Sequence, residues 1–380
     1  EAVMRTLEEI RARIDEIDAQ LLPLFLDRLE CSREVAEAKI AQGLPVLNAA
    51  REKQILDEVE RKAGSRGGEA RLLYDAILTS SRALQHRMMD GGRDLRALIE
   101  NAPSKDLPHD RIACQGVPGA YSHEAALLLY PGCRPHFYKT WEDIFRAIRD
   151  GEEDLGILPV ENSSAGSVSD VYGLILKYRF SIVGAATLRI RHCLAVPEGI
   201  DLSQVKKVYS HPQGLAQCSE YTEAHGLTPV PCSNTAAAAK AVAEGGEPAA
   251  AICSEQAAKE YGLHIVAHGI QNSSANRTRF VAISRTLFIP EDAEKISLCF
   301  SLPHTTGSLN GVLSQFAAAG LNLTKIESRP ISSADGENFE YDFYLDFAGN
   351  IRSGDTLNLI ASLQSELPRF SFLGNYTELD

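Results

Sequence analysis

The stretch LGILPVENSSAGSVSDVY, residues 155–172, sets an uninterrupted apolar run against a dense polar turn. LGILPV at 155–160 is too short for a buried helix, and its flanking turn formers mark it as a strand packed on both faces. The ENSSAGS that follows carries more hydroxyl and amide groups than a turn needs for its own hydrogen bonds, so it reads as a functional strand end. Working outward, RIACQ (111–115) reads as another strand and a helix lies near 122–130. Thr140-Trp-Glu-Asp143 has the form of a capping box opening the next helix. The alternation of strand and helix continues to TRFVAIS at 278–284. Such a pattern predicts an α/β domain over 109–288. Polar, proline-containing linkers flank it at 101–110 (NAPSKDLPHD) and near Pro290.

Further polar clusters stand at strand ends of this segment: GVPGAYSH (116–123), YSHPQ (209–213) and NRTRF (276–280). Gly116 to His123 fits an ordinary strand-to-helix turn as well as an anion-binding helix start. Arg279 fits a surface cation as well as a ligand contact.

Residues 1–100 read as all helix. Leu7, Ile10, Ile14, Ile17, Leu21 and Leu24 step by alternating threes and fours, and the stripe continues through Arg28 and Cys31 to Val35. No stop signal precedes Gly43, so one helix of roughly 38 residues, about 57 Å, is expected, with a kink at Pro23. It cannot cover its own seam, which calls for a partner chain. A second helix is expected over about 49–63 and a third over about 69–100, either continuous or interrupted at Gly91-Gly92. Arg28 and Lys39 sit on or beside the apolar stripe. Burying a cation without a partner is costly, so both must snorkel to solvent, pair with Glu, or meet an anionic ligand. Asn48, Arg51 and Glu52 share one helical face, and so do Ser81 and Gln85.

After 295 the elements read strand, helix, strand, strand, helix, strand. This is the ferredoxin-like α+β order, over 295–380, at a size that suits ligand sensing.

A net charge of -13 argues against nucleic-acid and anionic-membrane partners without excluding a small anion held by a local Arg and Lys cluster. No apolar run reaches membrane-spanning length. The N-terminal stretch lacks a signal-peptide core and the eight cysteines show no paired spacing, so a cytoplasmic protein with reduced thiols is expected.

Three resemblances sharpen this reading. Residues 5–90 resemble the all-helical chorismate mutases of the bacterial bifunctional type, through Arg11-x-x-Ile14-x-x-Ile17-Asp18, Asp27-Arg28, Val35-Ala-Glu-Ala-Lys39, Pro45-Val46 and Arg51-Glu52. Members of that family bind a dicarboxylate in an interlocked dimer. The resemblance implies that Arg28 and Arg51 hold carboxylates of chorismate, with Arg11 reaching in from the partner chain. It makes Lys39 and Gln85 the donors to the ether oxygen, and Asn48, Glu52 and Ser81 the remaining polar lining. Asn48 stands where the family often has Asp. The pericyclic rearrangement to prephenate needs conformer selection and charge stabilisation, and no cofactor or metal.

Residues 110–286 resemble the prephenate dehydratases, on PVENSSAGSVSDVY, YSHPQGLAQC (209–218) and NRTRF. That resemblance implies two α/β lobes around a cleft, of the type II periplasmic-binding-protein kind. It places Thr278 at the leaving hydroxyl and Glu161 as the nearest carboxyl for a proton relay. Asn162, Ser163, Ser210 and Gln213 would line the cleft, and Arg279 would help hold carboxylates. An arogenate dehydratase is a close alternative, and a non-catalytic amino-acid-sensing protein one of another class.

Residues 296–375 resemble an ACT domain, on Thr306-Gly307-Ser308-Leu309 and Ile326-Glu327-Ser328-Arg329-Pro330. Gly307, Ser308 and Leu309 would approach L-phenylalanine and Glu327 to Pro330 would form the opposite wall. Read from the residues alone, Gly307 also fits a plain helix-start turn. The whole implies a homodimer or homotetramer, inhibited by the end product of the route it serves.

Overall fold

The computed structural model describes residues 5–89, 91–105, 107–302, 307–331 and 340–379. The chain divides into two compact units, Glu1–Asn101 with Leu298–Ser371, and Ala102–Ser297 with Phe372–Asp380.

In the first unit, α1 (Leu7–Gln42) runs 36 residues without interruption through Pro23. Its length follows from its ends. Thr6 accepts from the Glu9 amide, and Glu9 returns a bond to the Thr6 amide at 2.7 Å, closing a capping box. Gly43, at φ 65°, terminates the helix in the left-handed conformation. Only Ser32 and Ala36 of α1 are buried. From Ile10 to Leu24 the seam is open, at 42% and 66% exposure at its extremes. α2 (Ala49–Ala63) and α3 (Gly67–Met88) follow, and the Gly91-Gly92 break separates α4 (Arg93–Glu100).

The second unit holds two sheets. One runs β16 (Glu378–Leu379), β5 (Ser181–Arg189), β11 (Arg277–Ser284), β3 (Leu155–Asn162), β1 (Ile112–Gln115), β2 (His136–Tyr138), with β4 (Gly166–Ser167) paired to β3. The other runs β10 (His264–His268), β6 (Cys193–Val196), β9 (Ala249–Cys253), β7 (Lys207–Ser210), β8 (Thr228–Pro231). Helices α5 (Tyr121–Leu129), α6 (Trp141–Asp150) and α7 (Ser169–Tyr178) lie in the sequence of the first lobe. Helices α8 (Pro212–Gln217), α9 (Ser219–Ala224), α10 (Thr235–Glu244) and α11 (Glu255–Glu260) belong to the second. The chain crosses between lobes twice, at 190–192 and at 269–276. β3 is buried along most of its length, as its unbroken apolar run requires. Gly156 on β3 is a packing necessity, since a Cβ there would lie 2.6 Å from Ile144 Cγ2. The Thr140–Asp143 capping box opens α6 as its spacing predicts.

A third sheet has the order β13 (Leu323–Ile331), β14 (Glu340–Ala348), β12 (Lys295–Ser301), β15 (Ser371–Tyr376). With α12 (Ser308–Ala318) and α13 (Gly354–Glu366) this gives the expected βαββαβ chain order. The last residues depart from expectation. The segment after β15 adds β16 parallel to β5, pairing Glu378 with Ala185 and Leu379 with Ala186, so the last described residues extend the first sheet of the α/β segment. Gly374 permits this approach, because a Cβ there would lie 2.1 Å from the Ile182 carbonyl oxygen.

Candidate active sites

In the helical segment two cations of α1 turn toward α3. Arg28 Nη1 donates to Ser81 Oγ at 3.0 Å, and Lys39 Nζ donates to Gln85 Oε1 at 2.9 Å and to the Val46 carbonyl. Ser81 and Gln85 are both buried. An ammonium accepts nothing, so the Gln85 oxygen must face Lys39, which leaves its amide hydrogens for a ligand. Burial lowers the Lys39 pKa from its usual value, against the opposing pull of Glu52. Glu52 pairs with Arg82, which also bonds Glu366 at 3.1 Å. Neither Arg82 nor Glu366 stood out in the sequence.

Two expected lining residues behave differently. The Asn48 side chain caps α2 by accepting from the Arg51 amide at 3.1 Å, so its oxygen is already committed to the helix end. Arg51 is exposed and bonds Gln54 at 2.8 Å. Arg11 lies on the exposed part of α1.

In the α/β segment Thr278 and Asn162 are partners in the β11–β3 register. Asn162 Nδ2 donates to Thr278 Oγ1 at 2.8 Å and to Asn276 Oδ1 at 2.9 Å. Its Oδ1 accepts the amides of Ser164 and Ala165 at 3.0 and 2.9 Å, and Gln213 Nε2 from the other lobe at 3.4 Å. The ENSSAGS turn is therefore wound around one amide, which explains its polarity. Behind it Asn276 Nδ2 donates to Gln217 Oε1 at 3.0 Å, and Gln217 Oε1 lies 3.0 Å from His192 Nε2. Burial lowers the His192 pKa, a bond to Gln217 opposing it, which favours the neutral ring.

Four expected cleft residues are placed elsewhere. Glu161 is the register partner of Arg279, and strand alternation puts it on the face opposite Asn162 and Thr278. The group beside the Thr278 hydroxyl is thus an amide and not a carboxyl. Arg279 is buried against the C-terminal tail, with Nε at 2.5 Å from Glu378 Oε1 and Nη2 at 2.8 Å from the Tyr376 hydroxyl. Ser210 is fully buried and donates to the Ile252 carbonyl at 2.8 Å, bracing β7 against β9. Ser163 donates to the Ala275 carbonyl at 3.1 Å and accepts from the Arg277 amide at 2.9 Å, tying the turn to the strand entry. Sequence spacing cannot reveal these partners, because each lies far along the chain.

In the C-terminal segment Gly307 precedes α12 at φ 87°, and Ser308 and Leu309 open that helix. Thr306 lies outside the described residues. On β13, an end strand of its sheet, burial alternates. Glu327 and Arg329 lie on the half-buried face, paired at 2.7 Å, while Ser328 and Pro330 lie on the exposed face.

The geometry has its match among known proteins. Residues 112–287 fit the family model of prephenate dehydratase, and residues 10–86 that of chorismate mutase type II. The bifunctional chorismate mutase/prephenate dehydratase of Escherichia coli K12 is 32% identical over 376 residues, covering 97% of this chain and 95% of the other. The chain belongs to this bifunctional family. The arogenate dehydratase/prephenate dehydratase 2 of Arabidopsis thaliana is 39% identical over 275 residues, 70% of this chain and 72% of its own. Among solved structures, the prephenate dehydratase of Arthrobacter aurescens in complex with L-Phe superposes at TM-score 0.63 with 30% identity, covering 70% of this chain and 89% of that one. A protein described as a quorum-quenching acylase, GqqA, does so at 0.64 with 32% identity, covering 70% and 97%. Neither the Arabidopsis relative nor these two structures matches across the whole chain, whereas the bacterial bifunctional enzyme does.

Proposed function

We propose that the chain carries out two consecutive steps toward L-phenylalanine: chorismate to prephenate in the helical segment, then prephenate to phenylpyruvate in the α/β segment. The observation that carries the reading is the union of both donor sets, Lys39 with Gln85 and Asn162 with Thr278, in one chain.

In the first step the ether C–O bond breaks as the new C–C bond forms, and charge builds on the oxygen. Lys39 and the Gln85 amide supply donors there, and Arg28 supplies a cation for a carboxylate. In the second step the bond from the ring carbon to its carboxylate breaks and releases CO2. Its electron pair enters the ring and expels the hydroxyl, which needs a proton to leave as water. Thr278 Oγ1 accepts from Asn162, so its own hydrogen is available for the departing oxygen. A prior mutase step makes prephenate, rather than arogenate, the natural substrate of the second site.

The open seam of α1 is covered by a second copy, which brings Arg11 to the partner's site. The C-terminal sheet acts as an ACT domain that binds L-phenylalanine near Gly307 and β13 and lowers dehydratase turnover. Assay of the purified chain on chorismate and on prephenate separately, each with and without phenylalanine, tests the reading. Turnover of both with inhibition of the second supports it; no phenylpyruvate from prephenate refutes it.

A further inference from the structure

The amide orientations behind Thr278 have one self-consistent solution. The Ser164 and Ala165 backbone amides can only donate, so Asn162 Oδ1 must face them and Asn162 Nδ2 must face Asn276 and Thr278. Asn276 then presents its oxygen to Asn162 and its nitrogen to Gln217. Gln217 presents its oxygen, and the His192 Nε2 facing that oxygen must carry the proton. His192 Nδ1, then an acceptor, lies 3.3 Å from the Tyr121 hydroxyl, whose one hydrogen it shares with the Arg191 carbonyl at 3.0 Å. His192 and Asn276 are almost completely buried and sit on the two different crossovers between lobes, with Gln217 on α8 of the second lobe.

We propose that His192 is a positioning residue for the dehydration: its Nε2–H anchors the amide chain that turns the Thr278 hydrogen toward substrate. Reversal of any buried amide in the chain would set donor against donor and leave both unsatisfied. The Nε2–H of His192 holds the Gln217 oxygen in place, Gln217 fixes Asn276, and Asn276 shares the Asn162 amide that fixes Thr278. Without that anchor Gln217 is held by Asn276 alone, and the Asn276 and Asn162 side chains behind Thr278 lose their fixed placement, although Ser164 and Ala165 keep the direction of the Asn162 amide. The inference rests on Thr278 being the donor to the leaving hydroxyl.

The test compares steady-state dehydration of prephenate by the full chain and its His192→Leu and His192→Gln variants, with Thr278→Ala alongside and a melting temperature for each. Glutamine can offer an N–H near the Nε2 position; leucine cannot. His192→Leu should lower kcat about tenfold, the scale of one lost hydrogen bond expressed only in orientation. KM should stay within about twofold, and His192→Gln should recover most of kcat. Unchanged kcat in His192→Leu, an effect on KM alone, or equal losses in both variants would overturn the role of His192 while Thr278→Ala remains inactive. Full activity in Thr278→Ala would instead overturn the reading of Thr278 on which the inference stands.

Discussion

Asn162 Nδ2 reaches the Thr278 hydroxyl oxygen at 2.8 Å while Asn162 Oδ1 is held by two backbone amides of its own turn. The bond has a fixed direction, from amide to hydroxyl, and so it makes Thr278 a donor to whatever lies in front of it. A hydroxyl placed in this way protonates a leaving group better than a free threonine, because the facing N–H stabilises the charge left on oxygen.

Asn162→Asp tests that direction with almost no change in shape. An ionised carboxylate cannot donate, so Thr278 would donate to it and turn away from substrate. Dehydratase kcat should fall by about 10²-fold or more, and the melting temperature should fall too, because the carboxylate oxygen then faces the buried Asn276 Oδ1, so kcat is compared at a temperature where both proteins stay folded. A near-normal kcat would show that the direction of the bond is irrelevant.

Lys39 gives the mutase a pH signature. Burial lowers its pKa below the usual 10.5 in spite of Glu52. The rearrangement needs the ammonium, so kcat/KM for chorismate should fall as pH rises through the lowered value, at a pH where an exposed lysine would still be charged. Lys39→Ala should remove the alkaline limb together with about 10²-fold or more of the rate. Persistence of the limb in that variant would assign it to another group.

The Glu378 carboxylate stands between Arg279 and Lys295, at 2.5 Å from the guanidinium. Burial works to raise its pKa, and the two cations outweigh it and hold it below the usual range. A depressed carboxyl contributes stability that is present above the ordinary value and lost as pH falls through the folded one. Glu378→Gln should therefore cost roughly 2–4 kcal/mol at neutral pH, because it leaves the buried Arg279 guanidinium and the half-buried Lys295 short of a counter-charge. The gap in melting temperature between the variant and the parent should begin to narrow as pH falls below the ordinary carboxyl value of about 4.3 and close only below the lowered folded value. A pH-independent gap would point to packing instead.

The α1 seam bears on assembly. Ile14 and Leu21 are each 50% exposed in the single chain, on a stripe too long for chance. Leu21→Glu should lower the oligomeric state seen by light scattering and with it the mutase rate, while the dehydratase keeps its kcat. An unchanged mass would mean that the seam is not the subunit contact.

Much of the fold is legible in the chain, for local reasons. The ends of α1 are written in Thr6, Glu9 and Gly43, and its seam in a regular step of leucines and isoleucines. The β3 strand is written in one apolar run, and the opening of α6 in Thr140 and Asp143. The site is legible only as far as its motifs. PVENSS and TRF mark Asn162 and Thr278, but strand alternation decides that Glu161 faces away from them. Arg279 looks like a substrate ligand until a tail 99 residues away takes it. His192, between two apolar strands in RIRHCLAV, gives no periodic or spacing signal, since its partners come from α5 and α8.

The central claim is that one chain holds two separable active sites. Its most direct test is phenylpyruvate formation by Lys39→Ala supplied in turn with chorismate and with prephenate. Two separable sites give almost no product from chorismate and a parental rate from prephenate. Equal loss on both substrates, or a parental rate from chorismate, would contradict it.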